Sequence, residues 1–246
     1  MSYGIIGKPL SHSFSKTCFE QKFEQLGLQN SYHLFEMESV SEFPKLIQAH
    51  SELEGLNVTM PYKSSVMDFL DEIDSEAQEA GAVNVIKIFR TPNKTFLKGY
   101  NTDIYGFSQS LKPLLKPEHR HALVLGTGGA AKAVSYILKR FGITVQAVSR
   151  YPQAEQLGYN DLNDSTIKRH LLIIQATPVG MYPNEQDVLP FPFSSLTPQH
   201  CCYDLIYNPA KTEFLRRAEV YGAVIKNGME MLHLQAERAW EVWRQE

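Results

Sequence analysis

The sequence predicts an α/β protein in which an N-terminal α/β unit accompanies a doubly wound, mostly parallel sheet. Short apolar runs alternate with longer amphipathic segments along the whole chain, and this alternation is typical of strands that alternate with helices. Parallel strands need crossover connections, which helices usually supply. In addition, residues 126–131 form a glycine-rich turn between an apolar run and an amphipathic segment, as in nucleotide-binding α/β sheets.

The composition limits the class of protein. The chain has 246 residues, of which 43% are hydrophobic and 21% charged, with a net charge of −3. These values indicate a globular chain of one large or two small domains, and they disfavour partners such as nucleic acid or an anionic membrane. No apolar run approaches the ~20 residues that span a bilayer. Three cysteines and the absence of a signal pattern predict a cytoplasmic protein that binds a small molecule. A monomer and a homodimer are both expected states, and the sequence does not choose between them.

The first hundred residues predict an α/β unit that ends in a strand pair, with a turn at residues 91–94. The expected strands lie at residues 3–7, 32–36, 56–59, 83–89 and 95–98. The expected helices lie at residues 13–26, 43–50 and 65–70.

The remaining residues predict the parallel sheet more plainly, and a domain boundary is expected near residues 101–105. The expected strands lie at residues 122–125, 143–148, 171–176, 202–206 and 223–226. The expected helices lie at residues 130–141, with a glycine stop at 142, and at residues 229–243.

The glycine-rich turn has the pattern G-x-G-x-x-A in the strand–turn–helix setting that a dinucleotide requires. Gly126 permits a tight turn, Gly128 lets the backbone approach a pyrophosphate, and Ala131 allows the helix to pack closely on the strand. Free N–H groups at the helix start attract the phosphates. A glycine turn without a ligand has the same local pattern, but the surrounding strand–helix–strand order favours the dinucleotide.

The end of the following strand indicates which cofactor is bound. An acidic residue there would bind the ribose 2′-hydroxyl of NAD, whereas an arginine accommodates the 2′-phosphate of NADP. Ser149 and Arg150 occupy this place, and no carboxylate does. The sequence therefore favours NADP, with a solvated loop arginine as the alternative.

The first half of the sequence contains three clusters of polar residues that a hydrophobic core would not require. They lie at residues 7–15, 55–63 and 99–103. In the first cluster, Ser13 and Ser15 stand where a helix begins, so hydroxyl and helix N–H groups together could hold a carboxylate. Each cluster by itself is also typical of a cap or turn.

Read together, the polar clusters and the glycine turn resemble the shikimate dehydrogenase family along almost the whole chain. The matching motifs in order are G-x-P-x-x-H-S-x-S at 7–15, N-V-T-x-P-x-K at 57–63, G-A-V-N at 81–84, N-T-D at 101–103, the glycine turn at 126–131, A-T-x-x-G-M at 176–181, D-x-x-Y-x-P-x-x-T at 204–212 and N-G-x-x-M-L-x-x-Q-A at 227–236. Eight motifs in order are far more specific than any one of them. His12, within the first motif, is expected to pack or cap.

The resemblance implies reversible NADPH-dependent reduction of 3-dehydroshikimate to shikimate, a step of aromatic amino acid biosynthesis. It also implies a discontinuous substrate domain (1–102 with 229–246), a Rossmann-like NADP-binding domain (103–228), and an active site in the cleft between them. The implied catalytic pair is Lys63 and Asp103. The implied substrate-binding residues are Ser13, Ser15, Thr59, Asn84, Asp103, Tyr207 and Gln235. The implied cofactor-binding residues are Gly126, Thr127, Gly128, Gly129, Ala130, Ser149, Arg150, Thr177 and Gly228.

The chemistry of a ketone reduction agrees with this assignment. Hydride transfer needs a cofactor donor, a proton for the nascent alkoxide and positive charge nearby. Lys63 can supply the proton and the charge, and Asp103 can orient the ammonium; which of the two moves the proton stays open. No metal site is expected, because the histidines lack a third ligand at metal spacing.

The chain departs from the family pattern at Lys16, at Thr127 and at two more informative places. Gln175 replaces the common asparagine before Ala-Thr, and the family's N-R-T-x-x-R becomes residues 149–154 with one arginine. The last of these departures predicts a weaker NADP preference. Two alternatives stay open: a quinate or shikimate dehydrogenase with relaxed substrate or NAD use, and a catalytically silent NADP-binding regulator.

Overall fold

A computed structural model describes residues 1–10 and 13–245, so His12 lies outside the described residues. The chain divides into two compact units. Unit 1 comprises Met1–Tyr105 with Gln235–Glu246, and unit 2 comprises Gly106–Leu234. The sequence placed the corresponding boundaries at 102/103 and 228/229, a few residues earlier in each case.

Unit 1 contains a mixed sheet whose strand order, in the described part of the chain, is β2-β1-β3-β5-β6-β4. Strands β1, β2 and β3 pair in parallel, β5 pairs antiparallel with both β3 and β6, and β4 pairs in parallel with β6. Its strands are β1 (Ser2–Gly7), β2 (Ser31–Glu36), β3 (Leu53–Val58), β4 (Glu72–Ile73), β5 (Val85–Thr91) and β6 (Lys94–Tyr100). Its helices are α1 (Phe14–Gln25), α2 (Phe43–Ala49) and α3 (Ser75–Ala80), and α4 (Thr102–Leu111) begins in it.

At β1 an apolar cluster covers each face of this sheet, since successive side chains of a strand point to opposite sides. Ile5 packs in one apolar cluster and Ile6 in the other. The first cluster contains Tyr3, Phe19 and Trp243, and the Trp243 indole donates a hydrogen bond of 3.1 Å to the backbone oxygen of Ile86. This cluster joins the C-terminal helix α8 (Met229–Arg244) to the same sheet as the first strand.

Unit 2 contains a parallel sheet with the described strand order β12-β11-β10-β7-β8-β9. The order reverses between β7 and β10, and this switch point is where open α/β sheets bind ligands beyond the carboxyl ends of the strands. Its strands are β7 (His121–Leu125), β8 (Thr144–Ser149), β9 (Leu157–Gly158), β10 (Leu172–Gln175), β11 (Cys201–Asp204) and β12 (Val224–Lys226). Its helices are α5 (Gly129–Arg140), α6 (Asp164–Arg169) and α7 (Glu213–Val220).

The structure corrects the sequence prediction in places where elements are short. The expected helix at 65–70 is a 3₁₀ helix, Ser65–Phe69. The sequence also missed β4, β9, α3, α6 and α7, each of eight residues or fewer. Such elements offer too little periodicity to be read. In the described residues, no helix is both long and apolar enough to cross a membrane.

Candidate active site

A lysine and an aspartate form an ion pair near the carboxyl ends of two strands of unit 1. Lys63 follows β3, and Asp103 lies in the first turn of α4, just beyond β6. Lys63 Nζ lies 2.6 Å from Asp103 Oδ2, and the two side chains are 15% and 8% exposed. Because water screens a nearly buried pair less than an exposed one, the carboxylate holds the ammonium firmly in place.

An asparagine fixes the aspartate from the other side. Asn84 Nδ2 donates to Asp103 Oδ1 over 2.9 Å and to Thr102 Oγ1 over 3.1 Å. In return, Asn84 Oδ1 accepts a hydrogen bond of 2.7 Å from the backbone N–H of Thr102. Gln235 Oε1 lies 3.5 Å from Asn84 Nδ2. Both oxygens of Asp103 are therefore engaged, which fixes the direction in which Lys63 points.

The two serines of the first motif stand at the start of α1. Ser13 is the N-cap residue of this helix, but its side chain makes no capping hydrogen bond within the described chain. Ser15 lies in the first helical turn, and both serines are partly buried. Hydroxyls beside a helix N-terminus suit an anion.

The threonine of the second motif lies beside the first motif. The backbone N–H of Thr59 donates to Ile6 O over 2.9 Å. A Cβ on Gly7 would lie 2.3 Å from Thr59 Cγ2, so only glycine permits this approach. The fold thus brings the ends of β1 and β3 together.

In unit 2 the glycine turn forms a cradle at the switch point. Gly126 has a φ of +117°, which favours glycine, and a Cβ there would lie 3.0 Å from Ala176 O. By contrast, a Cβ on Gly128 would meet no heavy atom of the described residues within 4 Å. Gly128 is also the N-cap of α5 and supplies no capping side chain. The open space and the uncapped helix start fit a pyrophosphate.

The other turn residues and the end of β8 border this cradle. Thr127 is exposed, and Gly129 and Ala130 are partly exposed. The Gly126 N–H donates to Val148 O over 2.9 Å, which places Ser149 and Arg150 beside the turn. Arg150 is exposed, and its guanidinium suits a phosphate. The described residues therefore fit the phosphates of NADP.

The unusual Gln175 closes the turn that carries Thr177. Gln175 is fully buried. Its Oε1 accepts from the Thr177 N–H over 2.5 Å, and its Nε2 donates to Val179 O over 3.0 Å. Both polar atoms of the Gln175 amide therefore have hydrogen-bond partners, which explains how glutamine can stand in place of the shorter asparagine.

The loop that carries Tyr207 is closed by a buried aspartate. Asp204 Oδ2 accepts from Thr212 Oγ1 over 2.6 Å, and Oδ1 accepts from the Ile206 N–H over 3.0 Å. Burial raises the pKa of Asp204 to about 7, and the hydrogen bonds from Thr212 and Ile206 oppose that rise. Tyr207 itself is partly buried.

Gly228 lies against the same loop. Its N–H donates to Ile206 O over 2.9 Å. A Cβ at this position would lie 2.0 Å from Leu205 O, so a side chain would displace the loop backbone. This close approach accounts for the glycine.

Several residues that hold the candidate site were not assigned from sequence. Thr102 and Asp204 belong to two of the motifs that match the family, so their motif positions could have identified them. Tyr32, which contacts the second motif through Asn57, falls in none. In the described residues, no group of three or more His, Cys, Asp or Glu side chains could hold a metal ion.

Comparison with known proteins places this geometry in a family. The model of the shikimate dehydrogenase substrate binding domain matches residues 5–86. A shikimate dehydrogenase (NADP(+)) from Desulforamulus reducens is 37% identical, over 98% of this chain and 88% of that protein.

Solved structures agree. The shikimate dehydrogenase of Thermus thermophilus, crystallised with NADP(H) and shikimate, has a TM-score of 0.85 and 30% identity, over 99% of this chain and 93% of that one. A quinate dehydrogenase from Corynebacterium glutamicum in complex with NAD has a TM-score of 0.85 and 26% identity, over 99% and 93% of the two chains. The predicted family and fold class are confirmed, and the chain belongs to the shikimate dehydrogenase family.

Proposed function

We propose that this chain catalyses the reversible NADPH-dependent reduction of 3-dehydroshikimate to shikimate. The observation that carries the proposal is the Lys63–Asp103 pair, with 2.6 Å between Nζ and Oδ2, in a polar cluster of a shikimate dehydrogenase fold. Unit 1 would bind the substrate, and unit 2 would bind the cofactor.

The polar cluster suits proton transfer to a nascent alkoxide. When bound, NADPH supplies the hydride for the substrate ketone. Lys63 Nζ then gives a proton to the oxygen that becomes the hydroxyl, and its positive charge stabilises negative charge developing on that oxygen. Asp103 orients the ammonium, and Asn84 fixes Asp103 through Oδ1. In the opposite direction the pair takes the proton back.

Substrate recognition would use the remaining polar groups of unit 1. Ser13 and Ser15, at the start of α1, would hold the substrate carboxylate. Thr59, Asn84 and Gln235 would hold ring hydroxyls together with Asp103, because amide and carboxylate oxygens accept from hydroxyls while amide and hydroxyl protons donate to them. Tyr207 would contact the substrate as well, as its motif implies, and the Thr212–Asp204 hydrogen bond holds the loop that carries it.

Cofactor binding would centre on the glycine turn of unit 2. Residues 126–130 would hold the pyrophosphate, Ser149 and Arg150 the 2′-phosphate, and Thr177 and Gly228 further parts of the cofactor. The open space at Gly128 and the exposed guanidinium of Arg150 support this assignment.

The proposal is tested by following the absorbance of the reduced cofactor, NADPH or NADH, at 340 nm with shikimate and quinate, each with NADP and NAD. We expect the highest kcat/KM with shikimate and NADP. Faster turnover of quinate, or of NAD, would favour the second candidate, a dehydrogenase of relaxed specificity, which the likeness to the NAD-bound quinate dehydrogenase supports. NADPH binding without turnover of either acid would indicate a silent regulator.

The cofactor preference has its own test. Arg150→Gln should lower kcat/KM with NADP by roughly tenfold, because a charge-assisted phosphate contact is lost. The value with NAD should change little. Arg169→Gln, at an exposed arginine of α6 in the same unit, is the control. Equal effects of Arg150→Gln on both cofactors would contradict the assignment.

A further inference from the structure

An exposed tyrosine directly follows the arginine proposed to bind the 2′-phosphate. Tyr151 is 82% exposed, and it lies two residues beyond Ser149, where β8 ends. Such exposure removes the ring from the core of unit 2. Because exposed tyrosines are common on protein surfaces, a role for this ring has to follow from the groups beside it.

The loop that carries Tyr151 has a backbone of defined path. The Tyr151 N–H donates to Ser149 Oγ over 3.2 Å, which turns the chain as β8 ends. At the far side of the loop, Gln146 Nε2 donates to the backbone oxygen of Glu155 over 2.7 Å. Pro152 follows Tyr151 and disfavours a helical backbone at the tyrosine. These constraints hold the start of the loop at the end of the strand.

This loop leaves the sheet at the same edge as the glycine turn. Strands β7 and β8 pair in parallel, and the Gly126 N–H donates to Val148 O over 2.9 Å. The carboxyl ends of the two strands therefore lie side by side. A dinucleotide whose pyrophosphate is held at Gly128 extends its adenosine toward the end of the second strand. Residues 149–151 stand at that end.

The covalent structure of NADP places its adenine next to the group that Arg150 would bind. The 2′-phosphate and the adenine are attached to C2′ and C1′, which are bonded carbons of one ribose. Arg150 and Tyr151 are neighbours in the chain, with about 3.8 Å between successive Cα atoms. One residue can thus contact the phosphate while the next contacts the base. A tyrosine ring has a flat π-face, and aromatic side chains stack on every kind of nucleobase.

We propose that the ring of Tyr151 stacks on the adenine of the bound dinucleotide. The inference rests on the proposed function, in which unit 2 binds NADP. Because the stacked base is the same in NADP and NAD, Tyr151 would strengthen the binding of both cofactors equally. Arg150 alone would then discriminate between them. This division of roles agrees with the weaker NADP preference predicted from the single arginine in residues 149–154.

The test measures dissociation constants of NADP and NAD by calorimetry, without turnover. Tyr151→Ala should raise both constants about tenfold, the scale of one stacked base. Arg150→Gln should raise the constant for NADP and leave that for NAD nearly unchanged. The melting temperature of Tyr151→Ala should equal that of the wild type, because an exposed ring is removed.

Two further variants separate stacking from other effects. Tyr151→Phe keeps the ring and loses the hydroxyl, so it should bind both cofactors as the wild type does. Tyr221→Ala is the matched control, because Tyr221 is 42% exposed and lies in the same unit, at the C-terminal end of α7. It should also bind both cofactors normally.

Three results would overturn the inference. The first is a Tyr151→Ala chain that binds both dinucleotides as tightly as the wild type. The second is a loss confined to NADP, which would make Tyr151 a phosphate ligand. The third is an equal loss in Tyr151→Phe, which would assign the effect to the hydroxyl.

The wild-type chain distinguishes this inference from the function on which it rests. Turnover of shikimate by the wild type, with normal cofactor binding in Tyr151→Ala, would overturn the role of Tyr151 alone. Tyr151-dependent binding of NADP and NAD without turnover of shikimate would overturn the proposed activity and support the stacking. A wild-type chain that binds neither dinucleotide would overturn both.

Discussion

The two units present polar groups in different ways. In unit 1 the candidate site consists of side chains that bind one another, with Asp103 held by Lys63 on one oxygen and by Asn84 on the other. In unit 2 it consists mainly of backbone, with a glycine turn and a helix start that no side chain caps among the described residues.

The difference reflects the two tasks proposed for the units. Proton transfer needs a group of defined acidity and direction, which only a side chain supplies. A pyrophosphate needs several N–H donors at close range, which glycine backbone supplies without steric hindrance. Substitutions should therefore act in the polar cluster of unit 1 by removing a functional group and in the glycine turn of unit 2 by adding atoms.

The largest effect is expected when the lysine of the pair is truncated. Lys63→Ala should lower kcat by roughly 10²–10⁴-fold, the usual range for loss of general acid–base catalysis, with little change in KM. Steady-state kinetics with shikimate and NADP measure both constants.

Lys22→Ala is the matched control. Lys22 pairs with Glu237 over 2.6 Å in the same unit, and its side chain is 17% exposed against 15% for Lys63. It should keep wild-type kcat. A Lys63→Ala enzyme with normal kcat, or an equal loss in Lys22→Ala, would contradict the role of Lys63.

A smaller effect is expected when one methyl group is added to the cradle. Gly128→Ala should raise the KM for NADP about tenfold, since the methyl would occupy space that the pyrophosphate needs. The melting temperature should not change, because the new Cβ meets no heavy atom of the described chain within 4 Å.

Gly142→Ala, at the other end of α5, should change stability and leave cofactor binding unaltered. Its φ of +74° strains any side chain, so the melting temperature should fall while the KM for NADP stays constant. If Gly128→Ala lowered the melting temperature as much and left the KM unchanged, the backbone cradle would be refuted.

A third effect, on stability and not on kinetics, concerns the pH dependence of unit 2. Because burial raises the pKa of Asp204 from 3.8 to about 7, folding favours its protonated form. The stability it contributes is complete below the unfolded pKa and is lost as the pH rises from about 4 to 7, by at most ~1.4 kcal/mol per pH unit. Asp204→Asn should lack this slope, which urea unfolding across that range would measure.

Two histidines make folding stability rise with pH, which is opposite in sign to the effect of Asp204. Burial lowers the pKa of His119 and of His170, so both disfavour folding as the pH falls below about 6.5. Their contribution is the same in wild type and Asp204→Asn and cancels in the difference between the two curves. Parallel curves would show that Asp204 titrates alike in the folded and unfolded chain.

The longer elements of the fold could be predicted because their periodicity is strong. Helix α1 was expected at 13–26 and lies at Phe14–Gln25, and β7 was expected at 122–125 and lies at His121–Leu125. The 3₁₀ helix Ser65–Phe69 could not be told from an α-helix, since five residues fit both hydrogen-bonding patterns.

The candidate site could be predicted where a residue carries its own chemistry. Lys63 and Asp103 were expected to pair, and the structure brings Nζ within 2.6 Å of Oδ2, while their role as acid and base stays a prediction. Tyr32 could not be predicted as a polar contact, because an aromatic residue in a strand normally packs in the core. Its hydroxyl bonds to Asn57 Oδ1 only after folding brings the two within 2.7 Å.

Unit 1 is discontinuous in sequence, and this has a consequence for protein synthesis. Residues 106–234 leave the ribosome before residues 235–245, which unit 1 needs. Until they emerge, the cluster around Tyr3 and Phe19 lacks Trp240 and Trp243, and Asn84 lacks Gln235. A nascent chain that stalled before residue 235 could complete its Rossmann-like sheet but not the polar cluster around Asp103. Translation thus orders the two halves in time, and the centre proposed for proton transfer is finished last.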